Sequence, residues 1–494
     1  MGSRSDRVEG VLLGMAAGDA LGAPYEFGPP LGPEREVAMV GGQGWEPGEW
    51  TDDTAMAIAI AEVAATGADL RDESAQDAIA ARWLDWAAGA KDVGIQTRTV
   101  LTAAGRRGIS AATARAEAAE VHRQSGRSGG NGSLMRTAPV ALAYLEDADG
   151  LVAAARMISE LTHYDPDAGD ACVLWSTAIA HAVRTGELDV RVGLGHLDPD
   201  RAALWSHRIE VAESSHPADF RRNGWVVEAL QAAWCAIATT PVPPDEAVAG
   251  TFRAGHLHDA VDAAVRGGRD ADTVAAIAGA LLGAAYGASA VPLAWRMLLY
   301  GWPDMGAHHL VNLAAAIERR GTADPFDVGY PGIPASAAVR HPYDHNVVLG
   351  GITTLRQPPD DVDAVVSLCR IAAADIRHDV PHIEVRLIDR ADPDNNPHLD
   401  HVLLDAVHAV EQLRAQGRTV LIHCVQAHSR TPAIAALYGA RRQRIGINDA
   451  LTDVQAALTD ADPNPAFRAA LQRLHPNDTA PAEGITDAHT PAHR

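Results

Sequence analysis

The chain has 494 residues, 47% of them hydrophobic and 21% charged, which is too long for one ordinary core and normal for a soluble globular protein. Forty-one basic against 64 acidic side chains leave a formal charge of −23, which speaks against broad electrostatic binding to nucleic acid or anionic membranes. A phosphorylated substrate would need local neutralisation by metals, helix N-termini or a few arginines. Lys91 is the only lysine, so a phosphate-loop lysine or a Schiff base would rest on it alone.

From residue 6 to about 318 the pattern reads as helix after helix. Stretches 55–65, 75–88, 168–183, 226–238 and 273–286 place apolar residues at helical spacing, and many of their faces are only Ala and Gly, which lets helices approach closely. Loops at 28–48, 125–132 and 241–244 carry the glycines, prolines and acids between them. Stretch 321–343 loses periodicity and reads as a linker. Beyond it, runs at 346–355, 362–368, 383–388 and 419–423 are short and rich in branched residues, predicting strands, and helices at 401–416 and 431–440 alternate with them. Residues 478–494 are polar and Pro/Thr-rich and are expected to form a disordered tail. The expected organisation is a helical domain over 1–320, the linker, an α/β domain over 344–477 and the tail. The cysteines, at 172, 235, 369 and 424, lie too far apart for a zinc site or a disulfide framework and suit a reducing cytosol. With no signal-peptide core and no long uncharged apolar run, a soluble cytoplasmic protein is expected.

Two acidic clusters stand out in the helical region. Trp50-Thr51-Asp52-Asp53-Thr54 closes a glycine-rich loop and opens one helix; Arg266-Gly267-Gly268-Arg269-Asp270-Ala271-Asp272-Thr273 does the same for another. Read singly, each is a helix cap, since Thr and Asp cap well and acids suit the first turn. Capping needs one side chain, however, and each cluster offers three oxygen-bearing ones. Hard divalent cations need such a set, and two ions about 3.5 to 4 Å apart need shared carboxylates. The two helix starts are therefore candidate halves of one dinuclear site. Gly129-Gly130-Asn131-Gly132-Ser133 is a glycine-rich turn before an expected helix at 134–143; its bare N–H groups could cradle a diphosphate, or it is an ordinary helix entry.

Taken together, several segments resemble the ADP-ribosylglycohydrolase family, in family order: residues 10–22, from Gly10-Val11-Leu12-Leu13-Gly14 to Gly18-Asp19-Ala20-Leu21-Gly22, followed by Tyr25-Glu26; Thr51-Asp52-Asp53-Thr54; Lys91-Asp92-Val93-Gly94; residues 129–136; Thr162-His163; and Asp270-Ala271-Asp272-Thr273. The resemblance implies an all-α orthogonal helical bundle holding two Mg²⁺ (or Mn²⁺) ions. Their ligands would be Thr51, Asp52, Asp53, Asp270, Asp272 and Thr273. It places Glu26 near the metals and the scissile ribose, residues 129–133 on the substrate and His163 toward the adenosine. It implies cleavage of the glycosidic bond of an ADP-ribosylated protein or small molecule. Such cleavage builds oxocarbenium character on the ribose, and Glu26 and Asp92 are the candidate acid and base, Glu26 the first choice.

In the second region, Val420-Leu421-Ile422-His423-Cys424 leads through Val425-Gln426-Ala427-His428-Ser429 to Arg430-Thr431, and a helix is expected from about Pro432. A thiol and an arginine on a loop entering a helix could depress a thiol pKa and grip a phosphate. His423 to Thr431 resembles the signature loop of tyrosine and dual-specificity phosphatases, and the likeness extends loosely over 340–475. It implies an α/β phosphatase-like domain with a central sheet flanked by helices. Cys424 would be the nucleophile, Arg430 the phosphate clamp, Thr431 the aid to thiolate departure and Asp392 the general acid, with Asp389 the runner-up. Ala427 departs from the family's usual glycine, and an alanine there strains the loop if the position needs a positive φ. Two other readings stand beside a metal-dependent ADP-ribosyl hydrolase: a non-catalytic reader of ADP-ribose or phosphate, and a cysteine phosphatase with a helical scaffold. The sequence leaves the acceptor open among arginine, serine, a base and a free small molecule.

Overall fold

Small residues decide how the first long helix packs. Gly10, Gly14, Gly18 and Gly22 recur every fourth residue along Ser3–Gly22 and so form one stripe. The stripe lies antiparallel against Ala271–Tyr286, backbone on backbone. A Cβ added at Gly14 would stand 2.4 Å from the Gly279 carbonyl oxygen, and one at Gly18 would stand 2.1 Å from that of Ala275. This pair is the spine of the helical part, and its register sets the end of the first helix beside the start of the second. The computed structural model describes residues 3–324, 329–377 and 379–476. Among them, no helix is long and apolar enough to cross a membrane.

The other expected helices are present as Asp52–Ala65, Glu73–Gly89, Pro166–Thr185 and Val226–Thr239. The first three start two or three residues before their apolar patterns, because first-turn acids and caps are helical without being apolar, and the fourth matches its pattern to within one residue. Buried indoles tie helices together: Trp83 Nε1 donates to Met56 O (3.0 Å) and Trp175 Nε1 to Ile277 O (3.0 Å). The expected helix at 134–143 is shorter, running only Ala138–Ala143 after a 3₁₀ turn at Asn131–Ser133. Pro139 explains this: it sits in the first turn, where its missing N–H costs nothing, and it would clash four residues back in a longer helix.

The second region holds a five-stranded sheet in the spatial order Val339–His341, Asp344–Gly350, Val420–His423, Ala364–Ser367, His382–Glu384. The first pair is antiparallel and the rest are parallel. The buried central strands read as continuous apolar runs, as parallel strands covered on both faces must. Three expectations need correction. The stretch 321–343 is not all linker, because the edge strand Val339–His341 lies in it. The strand expected over 346–355 stops at Gly350, and Ile352–Arg356 is a short helix. That over 383–388 is only His382–Glu384, with one further ladder bond from Val385 N to Ser367 O (2.8 Å). The expected tail at 478–494 lies outside the described residues.

Buried polar contacts join the two regions. Arg386 reaches Asp6 (3.3 Å), Glu9 (3.2 Å) and the Ser5 hydroxyl (2.9 Å). Asp405 Oδ2 accepts from Leu293 N (2.9 Å).

Candidate active site

The antiparallel spine brings three chain segments to one point: the end of Ser3–Gly22 with Glu26 just beyond it, the start of Asp52–Ala65, and the start of Ala271–Tyr286. A helix-cap reading of the acidic clusters fails on the hydrogen bonds. Neither Thr51 nor Asp270, the two N-cap residues, makes a side-chain cap bond. The first cap comes instead from Asp19, which accepts from Thr51 N (3.0 Å), Thr54 N (3.0 Å) and Thr54 Oγ1 (2.6 Å). Asp52 and Asp53 are thereby left to face the cluster.

Oxygens of Asp19, Asp53 and Asp272 lie within 4.8 Å of one another, and so do those of Glu26, Asp270 and Asp272. Asp272 belongs to both sets, as a bridging carboxylate would. Asp53 Oδ1 and Asp272 Oδ1 are buried with no hydrogen-bond partner, so each has a lone-pair face free for a cation. Thr51 Oγ1 (3.2 Å) and Thr273 Oγ1 (3.4 Å) both donate to Asp53 Oδ2, which places all six sequence-predicted ligand candidates at or beside the cluster. Burial without counter-charge raises every carboxyl here. Glu26 goes up to about 8, by burial first and then by Asp270, Asp52 and Asp92. Asp52 goes up to about 7 by burial and then Asp92, while Asp53 and Asp272 lie well above the carboxylate range, burial again first. Two helix N-termini aimed at the cluster offset only part of this repulsion. The donor set is all oxygen, anionic and under-neutralised, which fits hard divalent cations such as Mg²⁺ or Mn²⁺.

A profile of ADP-ribosylglycohydrolases matches residues 2–325. The chain belongs to that family. An ADP-ribosylarginine hydrolase, Tri1, from Pseudomonas putida (strain GB-1) is 29% identical over 297 residues, covering 59% of this chain and 73% of the relative. The ADP-ribosyl-[dinitrogen reductase] glycohydrolase of Rhodospirillum rubrum is 30% identical over 302 residues, covering 59% and 89%. A solved ADP-ribosylglycohydrolase-related protein complex matches with TM-score 0.48 and 29% identity over 65% of this chain and 99% of that one. Human DUSP28 matches with TM-score 0.26 and 21% identity over 29% of this chain and 97% of that one.

In this ADP-ribosylglycohydrolase the glycine turn meets the cluster directly, since Asn131 Nδ2 donates to Asp270 Oδ2 (2.9 Å). The turn's N–H groups are only partly available: Asn131 N donates to Gly224 O (3.1 Å). Its glycines serve close approach, because a Cβ at Gly132 would come within 2.9 Å of the His163 ring. His163 lies buried behind the turn, its Nδ1 paired with Thr162 Oγ1 (2.8 Å), and burial and then Arg136 lower it to about 3. Neutral His163 thus packs beneath the turn. Asp92 is exposed and accepts from its own Val93 N (2.8 Å), yet its field reaches Glu26 and Asp52. Asp19 was not among the sequence candidates. Its signal was the single carboxylate in the otherwise apolar, glycine-striped stretch 10–22.

The Cys424 loop runs from the strand Val420–His423 to the helix Arg430–Gln443, which starts two residues before the expected Pro432. Cys424 is buried, and Ala427 has φ +58°, the left-handed conformation in which alanine is strained. Arg430 Nη1 donates to Leu387 O (3.0 Å), and its Nε is buried without a partner, 4.0 Å from Asp389 Oδ2. Asp392 is exposed, turned away to cap Asp394 N (3.1 Å). Of the two acid candidates, Asp389 stands at the arginine and Asp392 does not, because Asp392 opens a 3₁₀ turn that takes up its side chain.

Proposed function

We propose that this enzyme hydrolyses the glycosidic bond joining ADP-ribose to a protein acceptor, using a dinuclear Mg²⁺ or Mn²⁺ site held by Asp52, Asp53, Asp270 and Asp272 with Thr51 and Thr273. The observation that carries this reading is Asp272, common to two carboxylate sets and bearing an unpartnered buried oxygen. Asp19 holds the Thr51–Thr54 backbone, and so sets where Asp52 and Asp53 point. Bound metal there supplies Lewis acidity toward ribose oxygens. Glu26, beside Asp270 and Asp272, is the first candidate to move a proton at the leaving atom, and Asp92 is the other. Arginine is the proposed acceptor, the one that the name of the Pseudomonas relative states for that protein. Release of ADP-ribose from a panel of modified acceptors, with and without chelator, tests this. Chelation and Asp272→Ala should each abolish release, and retained turnover in Asp272→Ala would overturn the assignment.

A second reading concerns the C-terminal region, proposed as a phosphatase-like domain over 344–477 joined to a helical domain over 1–320. It rests on the buried Arg430 Nε facing Asp389 beneath a loop entering a helix. Under it Cys424 is the nucleophile, Arg430 the phosphate clamp and Asp389, in place of Asp392, the acid.

A further inference from the structure

A cavity of about 230 Å³ opens beside the carboxylate cluster, and Thr51 and Asp52 belong to both. The glycine turn meets the cluster elsewhere, through Asn131 on Asp270. The cavity and the glycine turn thus meet the cluster at different carboxylates, Asp52 and Asp270.

The lining of the cavity is unusual in chemistry. Four of the chain's ten tryptophans, Trp45, Trp50, Trp86 and Trp302, supply its apolar walls. Glu49, Asp52, Asp85 and Asp92 supply its polar ones, and Lys91 is the only cationic side chain lining it. Indole faces and carboxylates together attract a flat, weakly hydrated cation far more than a neutral group. The rim already shows this preference at work. Lys91 Nζ sits 2.6 Å from Glu49 Oε2 and 5.1 Å from the centre of the Trp45 ring. That pair satisfies Glu49. Asp85 and Asp92 form no ion pair among the described residues, so the cavity keeps negative charge to spare. The walls are also fixed, with Trp50 Nε1 donating to Trp302 O (3.2 Å) and both Trp50 and Trp86 buried.

We propose that this cavity, between Trp45, Trp86 and Trp302 and bounded by Asp85 and Asp92, is the acceptor site, selecting a guanidinium-bearing side chain over a neutral acceptor. The proposal rests on the hydrolase reading above and adds which residues choose the acceptor. A guanidinium seated there would have Asp85 and Asp92 to accept from its N–H groups. A serine ether would leave those carboxylates unanswered.

The test uses the full chain with Mg²⁺ and compares wild type with Trp45→Ala and Asp85→Asn, half-buried and exposed positions respectively, so that folding is spared. The substrates are an ADP-ribosylated arginine peptide and an ADP-ribosylated serine peptide, and free ADP-ribose serves as a product inhibitor. For the arginine substrate, KM should rise about tenfold in the double variant, by more than kcat falls, while inhibition by ADP-ribose is unchanged. Agmatine should inhibit wild type and lose potency in the variant. An unchanged KM, or an equal loss of ADP-ribose inhibition, would overturn the proposal, the latter by assigning the cavity to ADP-ribose. If wild type releases ADP-ribose from serine and not arginine, the acceptor assignment falls and the hydrolase reading stands. If it releases none from either peptide, both fall.

Discussion

Replacing Gly22 by alanine should separate the fold from the metal site. The new Cβ would stand 2.3 Å from Asp272 Cα, 2.6 Å from Asp272 N and 2.9 Å from Ala271 C, all backbone atoms. Ordinary carbon–carbon contact is about 3.5–4.0 Å, so the helix start carrying Asp272 must retreat by roughly 1 Å. Metal ligands tolerate only about 0.2 Å. The same substitution costs stability modestly: about 1–3 kcal/mol of overpacking, offset by about 1 kcal/mol of helix propensity. Titration calorimetry with Mg²⁺ and Mn²⁺, alongside thermal unfolding and ADP-ribose release, reads both quantities. Metal affinity and turnover should fall by at least tenfold while Tm moves by only a few degrees. Gly105→Ala, whose Cβ would meet only the flexible methyls of Leu84 at 3.2 and 3.4 Å, is the control and should leave both near wild type. Wild-type metal affinity in Gly22→Ala would refute the argument that the glycine stripe sets the ligand positions.

Two other outcomes follow from the same geometry. In the metal-free protein Asp52 and Glu26 are raised to about 7 and about 8, so from about pH 4, where unfolded carboxyls titrate, to about pH 8 the folded state holds more protons than the unfolded one. Stability of the chelated protein should therefore fall as pH rises through that window. Mg²⁺ should reverse the trend and displace at least one proton per protein at pH 6, and calorimetry in buffers of different ionisation heat that finds no proton release would sink this account. For the C-terminal loop, Ala427→Gly removes a left-handed alanine and should raise stability by roughly 1 kcal/mol or less after glycine's chain-entropy cost, with a slight rise in Tm. It should also raise any aryl-phosphate turnover that Cys424→Ser abolishes; a fall in Tm would mean that the strain argument is wrong.

What could be read without the structure was local. Acids opening a helix after glycines, alanine and glycine at helical spacing, and a cysteine and arginine on either side of a strand-to-helix loop are patterns within one element, and the physics that produces them acts over one or two turns. Membership of a family and the two chemical textures followed from these. Ala427 was legible as an alanine where the resembled loop carries glycine, and the structure gives it the left-handed φ of +58°. What only tertiary packing decided was which separate segments meet. Asp19 became the cap for Thr51 and a third carboxylate because a glycine stripe lets two helices touch along their backbones. Asp389 rather than Asp392 faces Arg430 because a turn takes up the Asp392 side chain locally. The indole-walled cavity joins residues 45–55 and 85–92 to Trp302, a contact with no periodicity for a sequence to display. Apart from Asp19, each carboxylate of the cluster could be named from its neighbours in the chain, but its partners, its raised pKa and its role depend on long-range contacts that no short window of sequence contains.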